Sequence, residues 1–566
     1  MSSEAAMAPT QDMPRAGLRL PAAGAAFWPL AGVILALALH LGTALQRAVN
    51  WDEFWHYSQI HALRDGTLIQ PLQTLYTRVF LWVIDLPGTG VDHIVILRLF
   101  MFGCLLAICA SIHAMALRFA DRGTAWLCVL IYLTGGYVLH HGTSFRFDPM
   151  AGALLMGSLA IMLRSRLNSW FILATAALAA IALVLTIKSV LYAPAFAGVA
   201  WLRWQEAENR NAMLARLAAL AVATGLIGAA VFFLHSHTLG QAEVVDAKAK
   251  FGLLNSQQKM FGFGNLPYYS VIPRAAVLAP LAAICVLLTP AILLKRTAQG
   301  PAGAERVALW GLWLPITVLA FYHNSAPYFY VFILPPVLVA AVVAVPVLTR
   351  RYSLAALSLT TIAIACGIWA VDDHSGTQGR QRSLLEAADR MFPHPVNYFD
   401  LAGMLGRHHK QNAFMTPWGT ELYLAGDTPS MRDTMEREPV PLVLDNDPMF
   451  TNALHGLPDP HFLPQDAAAL RDNYLPFWGP FWLAGKAVRA DGADHAEEFL
   501  VPGAYTVEDA PVRIDGQDYR AGEIATIARG RHELRAAGDT DARLIWGTRL
   551  ARPADSPPPE PYWTSF

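Results

Sequence analysis

"AVNWDEFWHYSQIHALRDG", residues 48–66, follows directly on an apolar run that ends near residue 46. It carries two adjacent carboxylates, Asp52 and Glu53, with Trp51, Trp55, His56, Gln59 and His61 close by. Phe54, Tyr57, Ile60, His61 and, just beyond, Leu68 alternate with polar residues near helical spacing. The spacing predicts an amphipathic helix lying in a membrane interface, with Trp51 and Trp55 at headgroup depth. A second such stretch is expected over 72–82. The acid pair would sit at the helix N-terminus, where the dipole favours anions. Acids are ordinary helix-start residues, so the surroundings must decide whether these two do more.

Those surroundings belong to a membrane protein. Of 566 residues, 54% are hydrophobic and only 15% charged, with a mean hydropathy of +0.35. That is too apolar for an ordinary soluble chain and predicts several spans. The net charge of −1 and a pI near 7.0 give no footprint for nucleic acid, which is excluded as a partner. Cys104, Cys109, Cys128, Cys285 and Cys366 all fall in apolar runs without metal-ligand spacing and read as packing residues. Residues 1–25 are polar and Pro/Ala-rich. The run behind them is too long for a cleavable signal peptide and reads as a first span.

Apolar runs fall near 26–46, 93–117, 123–140, 148–163, 169–187, 189–204, 215–235, 273–294, 307–322, 327–348 and 353–371. The expectation is a polytopic α-helical membrane protein of about eleven spans. Arg118 and Arg122, Arg164 and Arg166, Arg203, Arg210 and Arg216, Lys295, Arg296 and Arg306, then Arg350 and Arg351 punctuate alternate ends. All fall on the cytoplasmic side if residues 1–25 form a cytoplasmic tail. The pair 169–187 and 189–204 has almost no loop between; two short spans meeting at Lys188 keep the charges on that side. An odd span count then sends residues 372–566 outside.

Residues 372–566 are polar and Pro/Asp-rich, and form an extracytoplasmic soluble domain. In 372–485, "PVPLVLDND" reads as a strand and "PQDAAALRDNY" as a Pro-started helix, giving mixed α/β character. In 486–566, short alternating runs broken by Pro-Gly, Asp-Gly, Ala-Gly and Arg-Gly predict a β-rich module.

Several outside loops carry ionisable residues at the bilayer surface. "HHGTSFRFDPM" (140–150) puts Arg146 and Asp148 before a Pro-bearing helix, either as a site or as an Asp cap with a snorkelling Arg. Lys188 has apolar sequence on both sides and needs an anionic partner. "YHNSAPYFYVFILPP" (322–336) offers His323, Asn324 and Tyr328, as donors or as an aromatic belt. Carboxylates suit a general base or a divalent metal; Arg, Lys and His suit phosphate. A phosphate at the bilayer surface with chemistry just above it describes a lipid-linked phosphosugar. The loop 236–272, with Gly252, Gly262 and Gly264 among phenylalanines, reads as a flap or a fixed cover.

With these motifs in order, the chain resembles the GT-C superfamily of membrane glycosyltransferases. "NWDEFWHYSQ" resembles the acidic first loop of the protein O-mannosyltransferase and aminoarabinose (lipid A) transferase branch. "FRFDP" resembles its second acidic motif. "LTIKS" (185–189) resembles an LTKG motif, with Ile187 inserted and Ser189 in place of Gly. "HNSAPYFYVFILPP" resembles an H-x-x-P-Y-[YF] span. The resemblance covers 26–371. It implies transfer of a sugar, with inversion, from a polyprenyl-phosphate donor to an acceptor on the periplasmic face of a bacterial inner membrane. It implies Asp52 as the base, supported by Glu53 and Asp148, with Arg78, Arg146, Lys188, His323 and Tyr328 around the donor phosphate. It leaves open a divalent metal (Mg, Mn or Zn) on Glu53 and Asp148, and an acceptor that is a glycolipid such as lipopolysaccharide, another glycan or a protein. The alternatives are a lipid-linked sugar transporter or flippase, which would show inverted repeats or midplane charge, and a membrane-anchored glycan-binding protein.

Overall fold

The computed structural model describes residues 26–239, 268–295, 303–372 and 376–563, together with Gly24 and Leu266. Most of the expected flap, 240–265, and most of the N-terminal tail lie outside the described residues.

The first ten helices are α1 (Phe27–Gln46), α2 (Trp51–Arg64), α3 (Tyr76–Phe80), α4 (Gly90–Ala116), α5 (Arg122–Leu133), α6 (Gly136–His141), α7 (Phe147–Arg164), α8 (Ser169–Leu185), α9 (Ala193–Glu206) and α10 (Arg210–His237). Helices Val271–Leu278, Pro280–Leu294, Gly303–Trp313, Phe329–Ala340 and Leu354–Ala370 complete the apolar part. Every apolar run of the sequence is helical, and the described residues support only part of the count of eleven whole spans. Among the described residues only α1, α4, α7 and α10 are single helices long and apolar enough to cross a membrane. A fifth arises if Val271–Leu278 and Pro280–Leu294, bent by 107°, form one broken span. Polar and conformational breaks divide the other runs. Thr134 and Gly135 separate α5 from α6, and Pro315 lies in the 3-10 segment after Trp313, whereas the 3-10 turn at 187–192 falls between α8 and α9, where two short spans were expected to meet. The chain is a multi-pass membrane protein with a β-rich C-terminal region.

That region is built on one sheet of eight strands and another of four. Strands β1 (Asn397–Phe399), β2 (His409–Lys410) and β3 (Leu442–Leu444) pair in parallel. Next come β4 (Tyr474–Trp478) and β5 (Phe481–Val488), then β6 (His495–Phe499) to β12 (Ala542–Trp546). β5 pairs antiparallel with β3 on one side and β12 on the other. One sheet therefore runs through both halves of the expected α/β and β-rich division, because β5 crosses residue 485.

Helix α2 joins the two regions. Asn50 accepts from the Glu53 N–H while Glu53 accepts from the Asn50 N–H, a reciprocal cap that starts the helix. Gly66, at φ +71°, supplies the left-handed residue just past its end. Phe54, Tyr57 and Ile60 are buried in a core shared with Leu384 and Leu385 of helix Gly376–Met391, Tyr398 of β1 and Phe481 of β5. The Gln381 side chain, fully buried, accepts from Val49 N–H at 2.9 Å and donates to Val49 O at 2.7 Å. The tryptophans expected at headgroup depth pack on protein instead: Trp55 stacks on Phe414 at 4.8 Å, and Trp51 lies against the C-terminal core. The reason is that the C-terminal region covers the face of α2 that would otherwise meet lipid.

Candidate active site

The cap that starts α2 sends its two acids in different directions. Glu53 turns inward and is fully buried. Its oxygens accept from Arg98 Nε at 2.7 Å, Arg98 Nη2 at 2.5 Å, Phe145 N–H at 2.7 Å and Asn50 N–H at 3.1 Å. Arg98, on α4, also donates to the carbonyls of Arg47 at 2.6 Å and Ala48 at 2.9 Å. Burial pushes the Glu53 carboxyl up, but Arg98 and the two backbone donors outweigh it and hold it below its ordinary range. Glu53 thus locks the α1–α2 link to α4 and to the loop before α7.

Asp52 turns the other way and accepts from Arg146 Nη1. Arg146 precedes α7 in extended conformation, and its Nε reaches Asp148 Oδ2 at 3.3 Å. Lys188, in the 3-10 turn after α8, donates to Asp148 Oδ1 at 2.8 Å. Tyr328 closes the group: Arg146 Cζ lies 3.4 Å from its ring centroid and Lys188 Nζ 5.2 Å, while its hydroxyl donates to Asn324 at 2.9 Å. Two carboxylates and two cations balance to zero formal charge. The Asp52 side chain is 15% exposed, against 1% for Asp148, 4% for Arg146 and 5% for Lys188. Burial raises the Asp52 carboxyl above its ordinary value, with Arg146 pulling against the shift. A carboxylate that is buried, raised and still reachable is suited to accept a proton.

The structure does not bring all the expected residues together. Arg78 lies apart on α3, with Nε 2.8 Å from His235 Nδ1 and Nη2 bonded to His235 O and Thr238, so it ties α3 to the end of α10. His323 is half-buried in the turn before Phe329–Ala340, and among the described residues no hydrogen bond joins it to the rest of the site. The expected metal ligands do not fit a cation. Glu53 already accepts four hydrogen bonds, and Asp148 lies between Arg146 and Lys188, whose charges repel a divalent ion. Among the described residues, no group of three or more His, Cys, Asp or Glu is arranged to hold a metal.

Two residues of the site were not singled out in the sequence. Arg98 had a signal, a lone guanidinium inside an apolar run, which requires an anion. His56 lies one turn after Asp52 on α2, buried against Phe145 and Phe147. The Tyr76 hydroxyl donates to His56 O at 3.1 Å and lies 3.0 Å from His56 Nδ1. One phenol proton serves both contacts only if Nδ1 carries hydrogen, which leaves Nε2 as a bare acceptor. Burial, then Arg146, holds this imidazole well below its ordinary value, so it is neutral.

No family model and no curated protein sequence matches the chain. Its structure is similar to that of ArnT from Cupriavidus metallidurans bound to undecaprenyl phosphate, with TM-score 0.53 and 14% identity over 77% of this chain and 96% of that one. The apo state of the same enzyme matches at TM-score 0.51 and 14% identity, over 76% of this chain and 94% of that one. This likeness is one of fold. The expectation drawn from "NWDEFWHYSQ" and "FRFDP" holds at that level.

Proposed function

We propose that this protein is an integral-membrane glycosyltransferase that moves a sugar from a polyprenyl-phosphate donor to an acceptor hydroxyl or phosphate, with inversion. Asp52 takes the acceptor proton, and the acceptor oxygen attacks the anomeric carbon opposite the phosphate. The C1–O bond breaks and the lipid phosphate leaves with the electron pair. The observation that carries this reading is the contrast between Asp52, reachable and raised, and Glu53, whose oxygens are fully engaged. No step runs through a metal.

Arg146 and Lys188 are the cations for the departing phosphate. A donor phosphate that draws Arg146 away removes the contact holding the Asp52 carboxyl down, so donor binding makes Asp52 a stronger base. His56 Nε2 accepts a hydrogen bond from a substrate hydroxyl or amine. The C-terminal region braces α2 through Gln381 and the shared core.

The reading places the site on the periplasmic face of a bacterial inner membrane. Arg164, Arg203 and Arg216 gather at the far ends of their helices, bonded to carbonyls of Ala114, Ser165 and Arg166, as the positive-inside bias requires of a cytoplasmic face. The test is release of polyprenyl phosphate from a panel of polyprenyl-phosphate sugars by the reconstituted protein. A protein that cleaves none of them contradicts the enzyme reading. Mass spectrometry of surface glycolipids, glycans and proteins from a deletion strain identifies the acceptor.

A further inference from the structure

A polar cavity lies outside the Asp52 cluster. It measures about 260 Å³ and sits where the outer part of α2, the turn leading into α4 and the C-terminal region meet. His61, on its wall, stands nine residues beyond Asp52, roughly 13 Å along the helix axis. Gly406 permits the close approach of the C-terminal loop, since a Cβ there would stand 2.7 Å from the Tyr57 ring.

The hydrogen-bonding state of the wall follows from its partners. His408 is 5% exposed, and its Nδ1 accepts from Val396 N–H at 3.1 Å. Its Nε2 therefore carries the proton, yet that atom is buried with no partner among the described residues. His61 Nε2 is likewise buried and unpartnered. His93 Nε2 faces the carbonyl of Leu86 at 2.9 Å, so its Nδ1 is the acceptor for the Tyr57 hydroxyl at 2.6 Å. The Tyr57 oxygen keeps its lone pairs for another donor. Asp389 and Arg407, 3.7 Å apart, stand half-exposed on the same wall. Leu86, Leu385 and Met404 supply apolar surface.

Unmet buried polar atoms are costly and call for an occupant. Burial, the largest cause in both, holds the His61 and His408 imidazoles down to about 4, so both are neutral. Uncharged imidazoles beside the Asp389–Arg407 ion pair, whose charges cancel, do not select an anion. The proton-bearing Nε2 of His408 offers no lone pair to a metal. Ligand pockets commonly measure about 300–1,000 Å³, so a cavity of about 260 Å³ holds one small ring, not a lipid chain.

We propose that this cavity is a saccharide-binding site that takes one neutral sugar ring of the acceptor. Ring hydroxyls donate to the Tyr57 oxygen and to Asp389 and accept from His408 Nε2–H, and an apolar ring face lies on Leu385 and Met404. The proposal rests on the glycosyltransferase reading for the source of the sugar, and its test reads binding without turnover.

Saturation-transfer NMR on the full chain in nanodiscs, with methyl glycosides of mannose, glucose and galactose as probes, measures that binding. At least one glycoside is expected to give a signal that falls about fivefold or more in His408→Leu, the loss of one hydrogen bond. Thermal unfolding midpoints identify any variant that fails to fold, and Asp389→Asn then serves as the second probe of the wall. The signal must persist in Asp52→Asn. Silence from every glycoside, which leaves a cavity holding only water, overturns the proposal. So does a signal unchanged in the folded wall variants, or one lost in Asp52→Asn, which belongs to the catalytic cluster. Glycoside binding without cleavage of any lipid-linked donor upholds the cavity and defeats the enzyme reading; cleavage without glycoside binding does the reverse.

Discussion

Arg98 holds both carboxylate oxygens of Glu53, its Nε 2.7 Å from Oε1 and its Nη2 2.5 Å from Oε2, with neither side chain more than 3% exposed. Removing one partner leaves an uncompensated buried charge and costs about 3–5 kcal/mol. Glu53→Gln and Arg98→Met should each lower the thermal unfolding midpoint, and the double variant should recover part of the loss. Because Glu53 is held below its ordinary value of 4.5 in the fold, its contribution is full above that pH and is lost as pH falls through the folded value. The acid loss of stability should therefore be shallower in Glu53→Gln. Parallel acid curves, or single variants as stable as wild type, contradict this role.

Arg146 contacts Asp52 and Asp148 at once, a task for a planar fork and not for a point charge. Arg146→Lys should lose activity. Arg146 also pulls the Asp52 carboxyl down against burial. Weakening that contact should move the acid limb of the pH–rate profile upward by roughly one unit or more. A limb that stays in place or moves down separates Arg146 from the titration of Asp52.

Lys188 donates to Asp148 and lies within reach of the Tyr328 ring. On the proposed role of Lys188 at the donor phosphate, Lys188→Met removes one charge-assisted contact, worth about 1.5–3 kcal/mol. Donor KM should rise about tenfold or more, and Lys188→Arg should restore part of the loss. An unchanged donor KM in a folded Lys188→Met protein removes Lys188 from phosphate binding.

His56 presents a bare Nε2 one helical turn from Asp52. His56→Phe should lower kcat/KM about fivefold, by loss of one neutral hydrogen bond, and leave thermal stability close to wild type. His56→Gln, which keeps an acceptor, should lose less. Equal losses in both variants, tracking a lower unfolding midpoint, indicate a packing role instead.

The apolar runs and the Pro-started helix at Pro464 were legible because periodicity and punctuation are local properties. So was the gathering of Asp52, Arg146, Asp148, Lys188 and Tyr328, because alternation of spans sorts loops onto faces. The family resemblance put Asp52 ahead of Glu53 as the base, but the physical cause of that split was not legible. Both are acids at a helix start, and only Arg98, 45 residues further on, and the Phe145 N–H decide which one is sealed. Arg78 was drawn to the phosphate by charge alone, whereas its partner His235 lies 157 residues away. The breaks within apolar runs escaped notice because hydropathy is blind to backbone direction, as the 107° bend after Leu278 shows. The tryptophans of α2 looked like lipid anchors because nothing local announces that residues 376–563 cover that helix.

The most direct test compares Asp52→Asn with wild type for sugar transfer from a polyprenyl-phosphate donor, in purified, reconstituted protein of verified fold. Positioned general bases contribute about 100- to 10,000-fold, so the variant should fall by at least about 100-fold while still binding donor. Transfer at the wild-type rate by Asp52→Asn would contradict the assignment of Asp52 as the base.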